Sequence, residues 1–172
     1  MRDTGSTASE WTADEAVTHL YSGHYGALVR LATMLLGDQG RAEEVVQDAY
    51  VSLHGRWGRL ADPDKALAYL RTSVMNGARS QLRRRTVAAR HPAAPPDPVG
   101  SAESSALAAE ERRELLAALD ALSDRQREVL LLRYYLDLSE ADIADTLRIS
   151  RGAVKSHSSR GIAALRTTWR HS

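Results

Sequence analysis

The amino-acid sequence predicts an all-α protein made of two small helical domains joined by a flexible linker. Three observations lead there. Apolar residues recur at threes and fours through most of the chain, and no useful stretch alternates as a strand would. Ser and Asp stand where helices would begin, and Gly37 stands where one would end. All but one of the five prolines fall within "RHPAAPPDPVGSAESS", Arg90 to Ser105, which has no helical period and reads as linker. The boundaries expected from this break are 14–86 for the N-terminal module, 87–107 for the linker and 108–170 for the C-terminal module.

The N-terminal module reads as three main helices. The first carries Val17, Leu20, Tyr21, His24, Leu28, Leu31 and Leu35 on one stripe and stops at Gly37. The second runs from about Arg41 to Trp57, with Ala42, Val45, Ala49, Leu53 and Trp57 as its apolar line. Asp62 and Pro63 suit the cap and first position of the third, whose stripe is Leu67, Leu70, Val74, Ala78 and Leu82. The C-terminal module opens with a helix around 108–121 using Leu115, Leu116, Leu119 and Leu122. A capping box, Ser123 with Gln126, starts "DRQREVLLLRYYL", and Ser139 caps the short helix "EADIADTL", with Ile143, Ala144 and Leu147 inward. Arg148 to Ser150 then turn the chain into a last helix.

Composition excludes several classes of protein. There is no Cys, so disulfides, cysteine metal sites and thiol nucleophiles are ruled out. No apolar run could span a bilayer and the N-terminus lacks a signal peptide's hydrophobic stretch, so a cytoplasmic protein without membrane contact is expected. The six histidines are scattered without metal-ligand spacing, and no phosphate loop or glycine-framed nucleophile occurs. No catalytic residue, metal or cofactor is expected.

A net charge of +1 hides two acid-free tracts. Between Asp64 and Asp97 lie Arg71, Arg79, Arg83, Arg84, Arg85 and Arg90; after Asp145 come Arg148, Arg151, Lys155, Arg160, Arg166 and Arg170. Two basic tracts on a nearly neutral chain suggest two contacts with a polyanion, or else two solvated faces. On the last helix, Val154, Ser158, Gly161 and Leu165 share one side. Gly152, Ser156, Ser159 and Arg160 lie opposite, flanked by Arg151 and Lys155. A short helix, a tight turn and a second helix with small polar and basic groups outward form a helix-turn-helix, which can enter the major groove of DNA. Opposite the apolar stripe of the third helix lie Thr72, Asn76, Arg79, Ser80 and Arg83; Asn can pair with an exposed base, and Arg can hold phosphate or stack. The second helix instead shows Glu43, Glu44, Gln47, Asp48 and Arg56, a face that is either solvated or docks on a partner's basic surface.

These residues resemble one family, the extracytoplasmic-function (group IV) sigma factors of the sigma-70 family, in an Arg-rich, actinobacterial form. "LLGDQGRAEEVVQDAYVSLHGRW" is similar to their regions 2.1–2.2, "ALAYLRTSVMNGARSQLRRR" to regions 2.3–2.4, and "LDALSDRQREVLLLRYYLDLSEADIADTLRISRGAVKSHSSRGIAALR" to regions 4.1–4.2. The resemblance implies a region 2 helical bundle and a region 4 helix-turn-helix, with core RNA polymerase, promoter DNA and an anti-sigma factor as partners. Glu44, Gln47 and Asp48 would grip the clamp helices of the polymerase's largest subunit. Thr72, Asn76, Arg79, Ser80 and Arg83, with the loop from Leu60 to Asp64, would hold the non-template strand of the −10 element and capture an unstacked base. Arg151, Gly152, Lys155, Ser156, Ser159 and Arg160 would read the −35 element. The chain departs from the family at Arg148, where Gly is usual, at Ser158 for Leu, at His157 for Arg and at Tyr69 for Trp. A helix-turn-helix regulator independent of polymerase explains residues 138–166 but leaves the N-terminal module without a role, and no dimerisation helix is evident. An enzyme finds no support in the spacing of the histidines or serines, and a purely protein-binding module would require both basic tracts to be merely solvated.

Overall fold

A computed structural model describes residues 8–89 and 106–169. Among the described residues there are seven α-helices, several short tighter or looser turns, and no strand. The chain divides into two compact units between His91 and Pro92. The helices run slightly into the stretch expected as linker, the third ending at Ala88 and the fourth beginning at Ala106. Arg90 to Ser105, expected to be linker, lies outside the described residues.

The first unit packs α1 (Ala13–Leu36), α2 (Gln39–Arg56) and α3 (Ala66–Ala88) against one another. Thr12 and Glu15 form a reciprocal capping box at the start of α1, and the hydrogen bonds from Thr12 hold the Glu15 carboxyl below its ordinary pKa. Gly37 ends the helix in the left-handed conformation, φ 69°. Asp38 then accepts from the Arg41 N–H and caps α2 two residues earlier than the sequence suggests. Leu28, Leu31, Leu35, Val45, Val46, Leu53, Leu70, Val74, Met75 and Ala78 form the core.

Two expectations for this unit are corrected, at Tyr21 and at the start of the third helix. Tyr21 is exposed rather than buried: it stacks on Tyr25 with 4.2 Å between ring centroids and meets Tyr50 edge-on. Tyr50 takes the interior place, donating to the Leu20 carbonyl at 2.9 Å, and burial followed by the Tyr21 and Tyr25 phenols pushes its pKa up to about 12. His24 can sit in the apolar stripe because burial first, then the charges of Arg71 and His19, lower its pKa and favour the neutral ring. Asp62 and Pro63 begin a single 3-10 turn, Pro63–Lys65, and α3 starts only after it. The Asp62 carboxylate accepts from Asp64 N–H at 3.1 Å, so its capping is spent on that turn.

The second unit comprises α4 (Ala106–Asp120), α5 (Asp124–Leu130), α6 (Glu140–Leu147) and α7 (Arg151–Trp169). Ser123 and Gln126 close the expected capping box on α5. Its continuation, Leu131–Tyr135, loosens into a π turn, with Leu136 N–H bonding back to the Leu131 carbonyl at 3.2 Å. The looser winding leaves Leu130, Leu131 and Leu132 all buried. On α4 the expected Leu115 is exposed, because only the C-terminal end of that helix, at Ala118 and Leu119, is covered. Arg127 ties that end down, donating to the Leu119 carbonyl at 3.0 Å and pairing with Asp120.

Two glycines permit close helix contacts. A Cβ on Gly77 would lie 2.8 Å from Cγ1 of Val45, and one on Gly161 would lie 2.8 Å from Cδ1 of Leu130. Val45 is β-branched and buried, so it cannot swing aside. Gly77→Ala therefore gains helix propensity but loses more to overpacking, and we expect a net destabilisation of about 1–2 kcal/mol in thermal or urea unfolding. The turn before α7 gives the opposite sign. Arg148 is left-handed, φ 54° and ψ 48°, a conformation that disfavours a side chain with Cβ. Arg148→Gly should stabilise the second unit by about 1 kcal/mol, read as a raised midpoint of unfolding.

Candidate functional site

On α2, burying Ala42, Val45, Val46, Ala49, Tyr50 and Leu53 turns the opposite face out. Glu44, Gln47 and Asp48 are all exposed on it. Sequence reasoning passed over Val51, which is 72% exposed and lies one turn beyond Asp48 on the same face. Its spacing of three from Asp48 was the available signal. The face is thus acidic with an apolar residue at its C-terminal end, a combination suited to a protein partner rather than to DNA.

On α3, Thr72, Asn76, Arg79 and Arg83 fall along one outward line. Asn76 and Arg83 are exposed, while Thr72 and Arg79 are partly covered. Ser80 departs from that line. It turns toward α2 and, with Asp48, Ser52, Gly77 and Arg84, lines a groove of about 270 Å³ between the two helices. Not every Arg of this tract is available to a polyanion. Arg85 donates to the Leu36 carbonyl at 2.8 Å, supplying a partner to the C-terminus of α1 and tying the far end of α3 to it. Tyr69, where the family usually has Trp, shares a 2.7 Å hydrogen bond with Ser52 of α2. The loop before α3 is held from within: Leu60 N–H bonds to the Trp57 carbonyl at 3.2 Å, and Lys65 bonds to Asp62 through both backbone and side chain.

In the second unit, Ser139 caps α6 by accepting from Asp142 N–H at 3.1 Å. Arg148 and Ile149 N–H groups both reach the Ala144 carbonyl and close the turn. Ser150 accepts from Ala153 N–H at 3.0 Å and starts α7. Ile143, Ala144, Leu147 and Val154 bury the junction. Arg151, Gly152, Lys155, Ser159 and Arg160 are exposed on α7, and Ser156 partly so, with no acidic residue on the helix. Ser158 is buried at 5% exposure, in the place where a leucine is usual.

Lys155 is not simply directed at solvent. Its ammonium lies 3.8 Å from Glu140, the first residue of α6, whose other carboxylate oxygen is 3.3 Å from Arg133. Glu140 was missed from sequence, because its proximity to Lys155 depends on how α6 crosses the first turns of α7. Among the described residues, no cluster of His, Cys, Asp or Glu could hold a metal ion, and no helix is long and apolar enough to cross a membrane.

Comparison with known proteins agrees with this arrangement. Residues 20–87 match sigma-70 region 2, and residues 112–165 match sigma-70 region 4. The RNA polymerase sigma-E factor of Streptomyces avermitilis is 34% identical over 140 residues, covering 81% of this chain and 77% of the relative. The ECF RNA polymerase sigma factor SigL of Mycobacterium tuberculosis is 33% identical over 175 residues, covering 97% and 94%. SigK of Mycolicibacterium vanbaalenii is 34% identical over 161 residues, covering 88% and 81%. In fold, the chain superposes on CnrH, solved in complex with the cytosolic domain of CnrY, with a TM-score of 0.73 at 24% identity, covering 95% and 92%. It likewise superposes on the sigma factor RpoE, solved with the anti-sigma factor NepR from Bartonella quintana, with a TM-score of 0.71 at 24% identity, covering 89% and 96%. With both sigma-70 regions matched in order, each on its own helical unit, the chain belongs to the extracytoplasmic-function sigma factors, which support promoter-specific initiation of transcription.

Proposed function

We propose that this sigma factor binds core RNA polymerase through the exposed face of α2, holds the −10 element on α3 and reads the −35 element with α7. The carrying observation is the separation of chemistry by helix: acid on α2, Asn and Arg on the outward line of α3, and an acid-free, hydroxyl- and base-bearing exterior on α7. Glu44, Gln47 and Asp48, extended by Val51, are the polymerase contacts. Asn76, Arg79 and Arg83, with Thr72 beside them and Ser80 at the edge, take the non-template strand. A captured base offsets the few kcal/mol that unstacking costs, so recognition of the −10 element and its melting are one event. Arg151, Gly152, Lys155, Ser156, Ser159 and Arg160 enter the major groove. The factor itself carries no catalytic step in this reading, and the nucleotide chemistry is the polymerase's.

The same reading gives it a cytoplasmic location, with no cofactor, and an anti-sigma factor as regulator. The solved complex of RpoE with the anti-sigma factor NepR supports the last of these. A transcription assay with core polymerase and a pool of genomic promoter fragments is the direct test. Transcripts that appear only when the protein is added establish the activity; no transcript and no binding to core would overturn it.

The two DNA contacts separate under mutation. Asn76→Ala should slow open-complex formation more than initial binding, and Arg160→Ala should weaken initial binding to the −35 element by roughly tenfold, the value of about one good base or phosphate contact. Footprinting with permanganate against mobility shift reads the two apart. Glu140→Gln frees Lys155 from its ion pair. We expect affinity for −35 duplex within holoenzyme to rise roughly twofold to fivefold, with a steeper dependence on salt concentration. An unchanged salt slope would mean that Lys155 makes no phosphate contact.

A further inference from the structure

The segment before α1 is tied to the loop before α3 by contacts that no role so far explains. Trp57 ends α2 and opens the 3-10 turn Trp57–Arg59. Its carbonyl receives Leu60 N–H, so it sets the loop's entry. Its indole N–H donates at 2.8 Å to the carbonyl of Trp11, a residue 46 positions earlier. The Trp11 ring in turn rests on the His19 ring of α1, with 4.6 Å between centroids and a 58° tilt. One residue on, Thr12 is locked by its capping box with Glu15, and Asp14 reaches His54 of α2 at 2.7 Å. The 3-10 turn Ala8–Glu10 lies against Pro63–Lys65, the far side of the same loop. The N-terminal segment therefore crosses from Trp57 at the loop's entry to Pro63–Lys65 at its exit.

This geometry has a functional consequence. A loop of five residues, Leu60 to Asp64, that is to receive an unstacked base must hold its shape before the base arrives; otherwise its ordering cost is subtracted from capture. The loop's own hydrogen bonds are local, from Trp57, Asp62 and Lys65. The crossing segment supplies its long-range restraint. We propose that residues 8–12 act as a strap that holds the base-capture loop in shape, with Trp11 and Trp57 as positioning residues for promoter opening. The proposal rests on the assignment of this loop and α3 to the −10 element. Neither tryptophan need touch DNA.

Trp57→Phe removes the indole N–H and keeps an aromatic ring. Trp11→Ala removes the ring on His19 and keeps the carbonyl. Each is tested as full chain in holoenzyme, with Asn76→Ala beside it. The probe is a single-stranded oligonucleotide of the non-template −10 element carrying 2-aminopurine, and duplex opening is followed on the same promoter. Both variants should bind the oligonucleotide and open the duplex roughly threefold to tenfold less well, the value of about one hydrogen bond for Trp57→Phe and of about one ring–ring contact for Trp11→Ala, with affinity for core and for −35 duplex unchanged. Amide hydrogens of Leu60 and Lys65 should exchange faster while those of the α1–α3 core do not. If both variants match the parent while Asn76→Ala is impaired, the strap has no positioning role. If core affinity falls in step with oligonucleotide binding, the contacts serve only the fold and the proposal is wrong. If Asn76→Ala is also without effect, the assignment of α3 fails and the strap proposal falls with it.

Discussion

The close crossing of α2 and α3, with Val45 seated over Gly77, sets the arrangement of the first unit. Helix α2 carries the acidic face and α3 the Asn- and Arg-bearing face, so the distance and rotation between those helices determine the angle between two surfaces of opposite character. A side chain at position 77 would push the helices apart at a place where they have no room. Tyr69 to Ser52 and Arg85 to the Leu36 carbonyl then pin the two ends of α3, one to α2 and one to α1. The polar exterior of each helix follows from what its other side buries.

A parallel constraint governs the second unit. Gly161 brings α7 against Leu130 of α5, and the turn at Arg148 brings α6 over the first turns of α7. Arg148 accepts a left-handed backbone because both its own N–H and that of Ile149 reach Ala144, and because Ile143, Leu147 and Val154 are buried on either side of it. Packing overrides the local preference for glycine. The same crossing places Glu140 beside Lys155 and Arg133, so the charge that a phosphate meets on this helix is set partly by a neighbour.

Much of the site could be read from sequence because it is periodic. Apolar stripes at threes and fours locate the buried faces of α1, α2, α3 and α7, and what lies opposite is then exposed: Glu44, Gln47, Asp48, Asn76, Arg83, Arg151, Lys155 and Arg160 are outward for this reason. Capping residues at Ser123, Ser139 and Ser150 are equally local, since each needs only the next turn of chain. The departures from this periodic picture have a common source. Tyr21, Leu115, Ser80 and Arg85 each satisfy the local pattern, yet a neighbour from elsewhere in the chain, or the lack of one, decides where they sit. Tyr50 takes the buried place beside Leu20, nothing described covers α4 at Leu115, α2 draws Ser80 to the groove, and the open carbonyl of Leu36 recruits Arg85.

The sequence by itself therefore determined the helical class, the two modules, the outward chemistry of each helix and, by resemblance, the family. The first three depend on composition and on a period of 3.6 residues, and the family on the likeness of particular stretches of sequence. Only the tertiary structure decided which groups from different helices and loops meet: Trp57 with Trp11, Arg85 with Leu36, Lys155 with Glu140 and Val45 over Gly77. Such pairings depend on how helices cross, and a crossing is set by the sum of many small packing contacts that no single stretch of sequence contains.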